Sequence, residues 1–541
     1  MTDPTVSDEE TMTEGAAAAQ EAGVGREFLR VSLEDLAEAM ETRQSEYANP
    51  DEPLKFKIYR GLPRRPLTTR VPGVLGAVEA LDDPALSTLL RYGYGISRQE
   101  FDTNGTWPYH RMVASARCLF AVQLYVCLAD GVYHYDAPHH ALVLLREGDH
   151  RPLLARATGT AGAPPEAVFV LSGLFAKAAY IYRDYAYRLC TQEAGLLTGN
   201  LDLVARAMGL RARVHHQFLD EPVNKLLGLD PDEEPALVVL PLHLAGAGAG
   251  DPRRTETETA AALSATVDPI EPQVVRSGLA VARACPRLTA VNRASFRTDT
   301  AGFAAAEPAP PVRPAVAVGS GREPLALPAT EVPDPDLAQV LRSRDSGPGI
   351  FRPVASRVDG LALWARLART RTGVGSDAVP AGAPVPVEVY LTVADLIGVP
   401  AGCYWLDPAT GALHPVGPGS PTGPGTDALT AIERVTIPGP VFQHMNAVVH
   451  LVVDRDWAFD TFGDRGYRVL NQEAGLLAHR VCVAAAAQGL SGRIVNAYHA
   501  EGVRAVLGLT EERYAPVFQI LLARTGPGGR VIVPVEPEAA E

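Results

Sequence analysis

Apolar runs of strand length and apolar stripes at helical spacing follow one another in this chain, and the same succession occurs twice. Leu119–Leu128 and Val387–Val393 are mainly apolar runs, broken by Gln123 in one and by Glu388 and Thr392 in the other, that predict strands. Each precedes a turn and a tyrosine-bearing strand, Gly131–Asp136 in one case and Gly402–Asp407 in the other. Long helices are predicted next, over about Tyr187–Met208 and Tyr467–Gln488. In the first, Leu189, Leu196, Leu197, Leu203, Val204 and Met208 form a wide apolar stripe. Gly209 and Gly489 are natural stops at the helix C-termini. A last strand is predicted at Ala236–Leu242 and at Val517–Ala523. Helices and short strands are mixed, and no βαβ phosphate fingerprint is present, so the pattern predicts an α+β fold.

The recurrence extends to identity. Gln-Glu-Ala-Gly-Leu-Leu stands at Gln192–Leu197 and again, 280 positions on, at Gln472–Leu477. Tyr187-Arg188 matches Tyr467-Arg468, Gly209-Leu210 matches Gly489-Leu490, and Leu227-Gly228-Leu229 matches Leu507-Gly508-Leu509, all at the same offset. The chain therefore reads as two fused copies of one domain. A fused pair can build the composite site that a homodimer builds at its interface, and one of its two sites is free to decay. The expected organisation is an N-terminal arm over 1–48, partly disordered, with a short helix over 31–45 opened by Ser32 before Glu34. A first domain follows over 49–245, then an Ala/Gly/Pro-rich linker over 246–330, part of it extended around Pro308, Pro310, Pro311 and Pro314. A second domain runs over 331–530, and 531–541 is a loose acidic tail.

Composition narrows the functional classes. A length of 541 residues exceeds one core, at roughly 100–250 residues per domain. Net charge is −14 with no basic block, which argues against a general binder of nucleic acid or anionic membranes. No apolar h-region or run of about 18 apolar residues occurs, so neither a signal peptide nor a membrane span is expected. The six cysteines are scattered and read as reduced core residues of a cytoplasmic protein. His139-His140 and His215-His216 lack metal-ligand spacing, and no metal is expected.

The segment from Arg111 through Ser115, Ala116 and Arg117 to Tyr125, followed by Gly131, Tyr133 and Tyr135, then by Tyr187, Arg188 and Gly195, resembles the flavin-dependent nitroreductase-like family. The likeness is to its SagB-type, McbC-like dehydrogenase branch. The second copy keeps Pro380, Gly382, Pro386, Glu388, Tyr390, Tyr404, the run Gly463-Asp464-Arg465-Gly466-Tyr467-Arg468, and Gly475. The resemblance implies two tandem nitroreductase-like domains forming an intrachain pseudo-dimer. It also implies FMN bound between an Arg-Arg-Ser-like turn of one half and a Pro-Ser-Gly-like loop of the other. The FMN phosphate calls for arginine and backbone N–H donors, and the ring edge that becomes negative on reduction calls for a nearby donor.

The copies are unequal in these parts. The second has Arg342, Arg344 and Ser346 as the turn, whereas Arg64-Arg65-Pro66 in the first is a poor match. The first has the serine loop, whereas Pro380-Ala381-Gly382-Ala383 in the second lacks a serine. Crossed pairing of the second copy's turn with the first copy's loop predicts one complete FMN site per chain. The expected cofactor contacts are Arg111, Ser115, Ala116, Arg117, Arg342, Arg344, Ser346 and Arg493. Azoline-oxidising relatives often carry a Lys-Tyr pair before the long helix. Here Ile181-Tyr182 keeps only the tyrosine, and Lys177 lies one helical turn away, so Tyr182 and Lys177 are the expected acid/base groups. Tyr182 would need its pKa near 10 lowered by a neighbouring cation. Glu193 and Glu473 are expected to be structural, paired with arginines such as Arg188 and Arg468. The resemblance implies oxidation of thiazoline or oxazoline rings to thiazoles or oxazoles in a ribosomally made peptide, with a cyclodehydratase as a plausible partner and a monomeric pseudo-dimer or homodimer as the assembly. An NAD(P)H-dependent small-molecule reductase and a flavin-free scaffold are the alternatives.

Overall fold

The computed structural model describes residues 23–34, 52–101, 108–244, 256–275, 278–305, 323–329, 331–348, 351, 354, 357–370, 375–380, 382–416, 431–436, 444–526 and 530–535. Disorder is expected over residues 1–30; residues 1–22 and most of the expected 31–45 helix lie outside the described residues, and the expectation fails over 24–30, which are helical. The arm does hold a helix, α1, over Val24–Glu34. Ser32 sits inside it, buried, and its hydroxyl donates to the Leu29 carbonyl at 3.1 Å rather than capping a helix start.

Two antiparallel sheets organise the described chain. The first has the order β1-β6-β5-β4-β7-β9-β8, with β4 at Val122–Cys127, β5 at Gly131–Asp136, β6 at Ala141–Glu147, β7 at Ala167–Gly173, β8 at Leu210–Ala212 and β9 at Ala236–Leu244. The second has the order β12-β11-β10-β13-β15-β14, with β10 at Val387–Val393, β11 at Gly402–Leu406, β12 at Leu413–Pro415, β13 at Ala447–Asp454, β14 at Ser491–Val495 and β15 at Tyr514–Ala523. The six central positions correspond one to one. Strand β1, Arg64–Pro66, adds an edge to the first sheet. Strands β4, β7, β10 and β13 are buried throughout, which matches their largely apolar sequences; Gln123, Ser172, Glu388, Thr392, His450 and Asp454 are the polar residues buried within them.

After α2, Asp83–Tyr94, each half contributes one long helix to the centre, α3 over Ala186–Ala207 and α6 over Gly466–Ala486. They pack against each other through the repeated hexapeptide. A Cβ on Gly195 would meet the Gln472 carbonyl oxygen, and one on Gly475 would meet that of Gln192. Glycine is therefore required twice by the same backbone approach. Tyr187 and Tyr467 stack at 5.5 Å between ring centroids, with Phe28 of α1 edge-on to both.

The segment expected as linker is partly folded. It holds helices at Ala260–Ala265, Val281–Ala284 and Pro286–Ala294 (the last designated α4). Leu288, Val291 and Asn292 are buried there, because α4 covers Tyr187 and Arg468 as α1 covers Arg188. At the other end, Val531–Pro534 forms strand β16, which crosses back to pair with β2, Ile96–Phe101, next to β3, Tyr109–Arg111. Residues 536–541 lie outside the described chain. No described helix is long and apolar enough to cross a membrane, and all six cysteines are free thiols.

Candidate active site

The serine loop leads from β3 into β4 and is fixed from below by α3. Ser115 donates to Glu193 Oε2 at 2.5 Å and accepts from the Phe120 amide at 2.8 Å. Glu193 Oε1 accepts from the Val122 amide at 3.0 Å. Burial raises the Glu193 pKa, opposed by these two donors and by the charges of Lys177 and Arg111. Glu473 holds the other half's loop in the same way, accepting from Ser376 at 2.8 Å. Neither glutamate pairs with the expected arginines. Arg188 instead donates to the carbonyls of Ser32 and Val517, and Arg468 pairs with Asp220 at 3.0 Å.

A cavity of about 500 Å³ opens beside the serine loop, between the two halves. Its walls carry Ser115, Ala116, Arg117, Cys118 and Tyr182 from the first half, and Arg344, Ser346, Gly347, Arg493 and Asn496 from the second. The turn follows helix α5, Leu337–Ser343. Asp345 in that turn accepts from Ser491 at 2.6 Å and from the Gly347 amide at 3.0 Å. Arg493 donates to the Ser346 carbonyl at 2.9 Å and lies 4.1 Å from the Phe351 ring; burial lowers its pKa to about 10. Arg344 reaches across to the first half, donating to the Met112 carbonyl at 3.0 Å, and its Nη1 is buried with no partner. Burial, with Arg98 nearby, lowers the Arg344 pKa.

The crossed arrangement thus brings Ser115, Ala116, Arg117, Tyr182, Arg344, Ser346 and Arg493 to one space. Three expected residues stand outside its lining. Arg342 is drawn away to the Gly73 carbonyl and the Tyr92 hydroxyl, at 3.1 and 2.6 Å. The Arg111 guanidinium is held over the rings of Tyr94 and Phe120, at 4.0 and 4.8 Å. The Lys177 ammonium is buried against the Lys55 carbonyl at 2.6 Å, and burial lowers its pKa to about 7. Arg117 does face Tyr182, 5.9 Å from its ring, but burial outweighs that cation and the Tyr182 pKa is raised, not lowered. Its hydroxyl is a protonated donor at neutral pH.

Sequence reasoning missed the third wall. Arg98 and Glu100 of β2 and His110 of β3 line the cavity with Arg530, which leads into β16. Arg530 donates to Glu100 at 2.7 Å and to Asp345 at 3.0 Å. Burial and Arg98 lower the His110 pKa to about 4, so the ring is neutral. These residues carry no local motif, because the pairing of β16 with β2 spans most of the chain. Asn496 was within reach of the repeat: at the common offset it corresponds to His216. Its amide donates to Gln192 Oε1 at 2.7 Å, and His216 Nδ1 lies 2.7 Å from Gln472 Oε1.

The opposite interface is closed. Ser376, four residues before Pro380, occupies the position of Ser115, so the second half does have its serine, displaced from the expected loop. Asp377 beside it accepts from the amides of His216 and Gln217, at 2.9 and 2.8 Å, and His216 Nε2 lies 2.9 Å from Glu473. Val214 pairs with Ser376 as a parallel bridge. Protein groups hydrogen-bond directly here where the other interface holds the cavity.

The open cavity fits a flavin mononucleotide. Its walls carry five arginines, Arg98, Arg117, Arg344, Arg493 and Arg530, against the carboxylates of Glu100 and Glu193. The unpartnered Nη1 of Arg344 supplies a buried donor for a phosphate. The volume lies in the range of cofactor sites, roughly 300–1,000 Å³.

Comparison with known proteins agrees with this architecture. Residues 79–242 match the model of the Nitroreductase family. A crystal structure of a protein of Anabaena variabilis, named as a nitroreductase, covers 93% of this chain and 100% of its own, with a TM-score of 0.69 and 20% identity. A protein of Methanocaldococcus jannaschii, also named as a nitroreductase, is 29% identical over 141 residues. That match covers 25% of this chain and 66% of the relative's length. The McbBCD microcin synthetase complex of E. coli, with truncated pro-MccB17 bound, includes a chain 20% identical over 36% of this one and 70% of its own, at a TM-score of 0.27. Residues 79–242 form a nitroreductase-family domain, and the chain has a mixed α/β, nitroreductase-like fold.

Proposed function

We propose that the chain is a tandem pair of nitroreductase-like domains, over 49–245 and 331–530, that forms an intrachain pseudo-dimer and binds one FMN in the crossed cavity. The observation that carries this is the meeting of Ser115 of one half with Arg344, Ser346 and Arg493 of the other around one space, while Ser376 and His216 fill its counterpart. Arg344 and Arg493 are the phosphate-binding groups, with Arg530 beside them. Ser115 and Glu193 hold the loop that would lie along the ring.

The reaction we infer is oxidation of a thiazoline or oxazoline in a ribosomally made peptide to the thiazole or oxazole. The heterocycle loses one hydride to the two-electron acceptor and one proton to water, and dioxygen, reduced to hydrogen peroxide, is the terminal acceptor. Bound FMN supplies the two-electron acceptor. Tyr182, protonated, donates a hydrogen bond to the substrate and orients it. A cyclodehydratase that makes the azoline is the partner this chemistry calls for. Anaerobic mixing with an azoline peptide should bleach the flavin band and yield a product lighter by two hydrogens.

The position of Lys177 favours a second reading. Its ammonium is bonded away from the cavity walls, so the cavity lacks that base, as suits a small-molecule reductase drawing hydride from NAD(P)H. Rapid bleaching by NAD(P)H alone, with no change in an azoline peptide, would select that reading over the first.

A further inference from the structure

Arg117 stands apart from the other arginines of the cavity. Arg98 and Arg530 are paired with Glu100, and Arg530 also with Asp345. Arg344 and Arg493 donate to main-chain carbonyls. Arg117 has no carboxylate partner among the described residues. Its neighbours are the Tyr182 ring at 5.9 Å and the phenols of Tyr182 and Tyr180, whose pKa values its charge opposes raising.

The backbone at Arg117 is unusual as well. It has φ 48° and ψ 27°, in the left-handed region that disfavours any residue with a Cβ. Cys118 and Phe120 also have positive φ, 56° and 50°, so three of the five such non-glycine residues among those described lie in this one loop. Concentrated strain of this kind accompanies functional loops. Glycine would relieve it at position 117. The arginine brings instead an exposed side chain to the cavity wall, its guanidinium beside the Tyr182 ring and hydrogen-bonded to the Tyr182 hydroxyl, and a guanidinium's five N–H donors leave capacity for a planar anion.

We propose that Arg117, braced on Tyr182, receives a carboxylate of the substrate, so that the cavity selects substrates with an acidic group beside the part that reacts. This rests on the cavity being the flavin and substrate site. In a peptide, either an acidic side chain or the main-chain terminal carboxylate has the required chemistry.

The test is calorimetric titration of the purified full chain, wild type and Arg117→Gly, with benzoate and its neutral isostere benzamide. Glycine suits the φ at position 117, so the variant should fold and melt no lower than the wild type. Benzoate should bind the wild type more tightly than benzamide. Its affinity should fall about tenfold or more in Arg117→Gly, the loss expected for a charge-assisted hydrogen bond, with benzamide unchanged. Arg117→Lys should fall between. N-acetylphenylalanine and N-acetylglutamate α-amide then distinguish a main-chain from a side-chain carboxylate by which loses more affinity in Arg117→Gly. Equal binding of benzoate and benzamide to the wild type, or equal benzoate affinity in both proteins, would overturn the proposal. Flavin content is read on the same samples. A flavin-free protein would refute the cofactor assignment, while the titration still decides the role of Arg117.

Discussion

Ser115 and Glu193 show how a single hydroxyl fixes a loop. The carboxylate is buried and accepts from one serine and one amide, so Ser115→Ala leaves it with one donor fewer. Loss of about 1–3 kcal/mol of stability is expected by urea denaturation, with lower flavin occupancy. If the proposed phosphate site is correct, Arg344→Ala should lower flavin occupancy, because it removes a buried donor that has no protein partner. Lys177 carries a pH signature. Its folded-state pKa of about 7 lies below the unfolded value near 10.5 because burial disfavours the ammonium. Below about pH 7 both states bind the proton and the burial cost is present in full. From there to about pH 10 the unfolded state binds more protons, and stability rises with pH. Lys177→Met should therefore exceed the wild type in stability at pH 6, by about 1–2 kcal/mol, and the gap should close by pH 9. A constant gap would contradict the assignment. At this scale the sequence singled out Ser115, Ser346, Arg493 and Tyr182, which the fold brings to one cavity. It was silent on Arg98 and Arg530, which meet only because β16 returns to β2. It misplaced the second half's serine, because Ser376 lies four residues earlier than alignment on Pro380 suggests. It also assigned Arg342 to a site from which Tyr92 and Gly73 withdraw it.

Helices α3 and α6 were the most legible elements, because each combines an apolar stripe with a terminal glycine and an identical hexapeptide. Their burial on nearly every side explains why the repeat survives in identity: Gly195 and Gly475 admit the opposing backbone, Gln192 and Gln472 bond to Val517 and Leu237, and the glutamates anchor the loops. Gly195→Ala should relieve a helix-propensity defect in an isolated helix, yet here its methyl would strike the Gln472 carbonyl. Destabilisation of about 1–3 kcal/mol is expected, read by denaturant midpoint. An unchanged midpoint would mean that the helices cross less closely. Helix α4 escaped prediction because its Ala- and Pro-rich surroundings resemble linker; its order comes from tertiary burial of Leu288 and Val291, not from local propensity.

At the scale of the molecule, the described residues form two sheets of matching strand order that meet through α3 and α6, and the two sides of that contact differ. Both sheets keep one strand order, each with a long helix and a serine held by glutamate; the helix and strand succession and the repeated hexapeptide were readable from sequence, the second serine was not. Their inequality was read through missing motif residues, and the physical difference is larger: at the closed interface, His216, Asp377, Ser376 and Glu473 hydrogen-bond to one another. Ser376→Ala should therefore destabilise the chain without changing the amount of flavin bound, in contrast to Ser115→Ala. The most direct measurement is the number of FMN molecules released per chain from purified protein reconstituted with excess FMN. The crossed single site predicts one. Two would show that the closed interface opens to a cofactor, and none would contradict the flavin site itself.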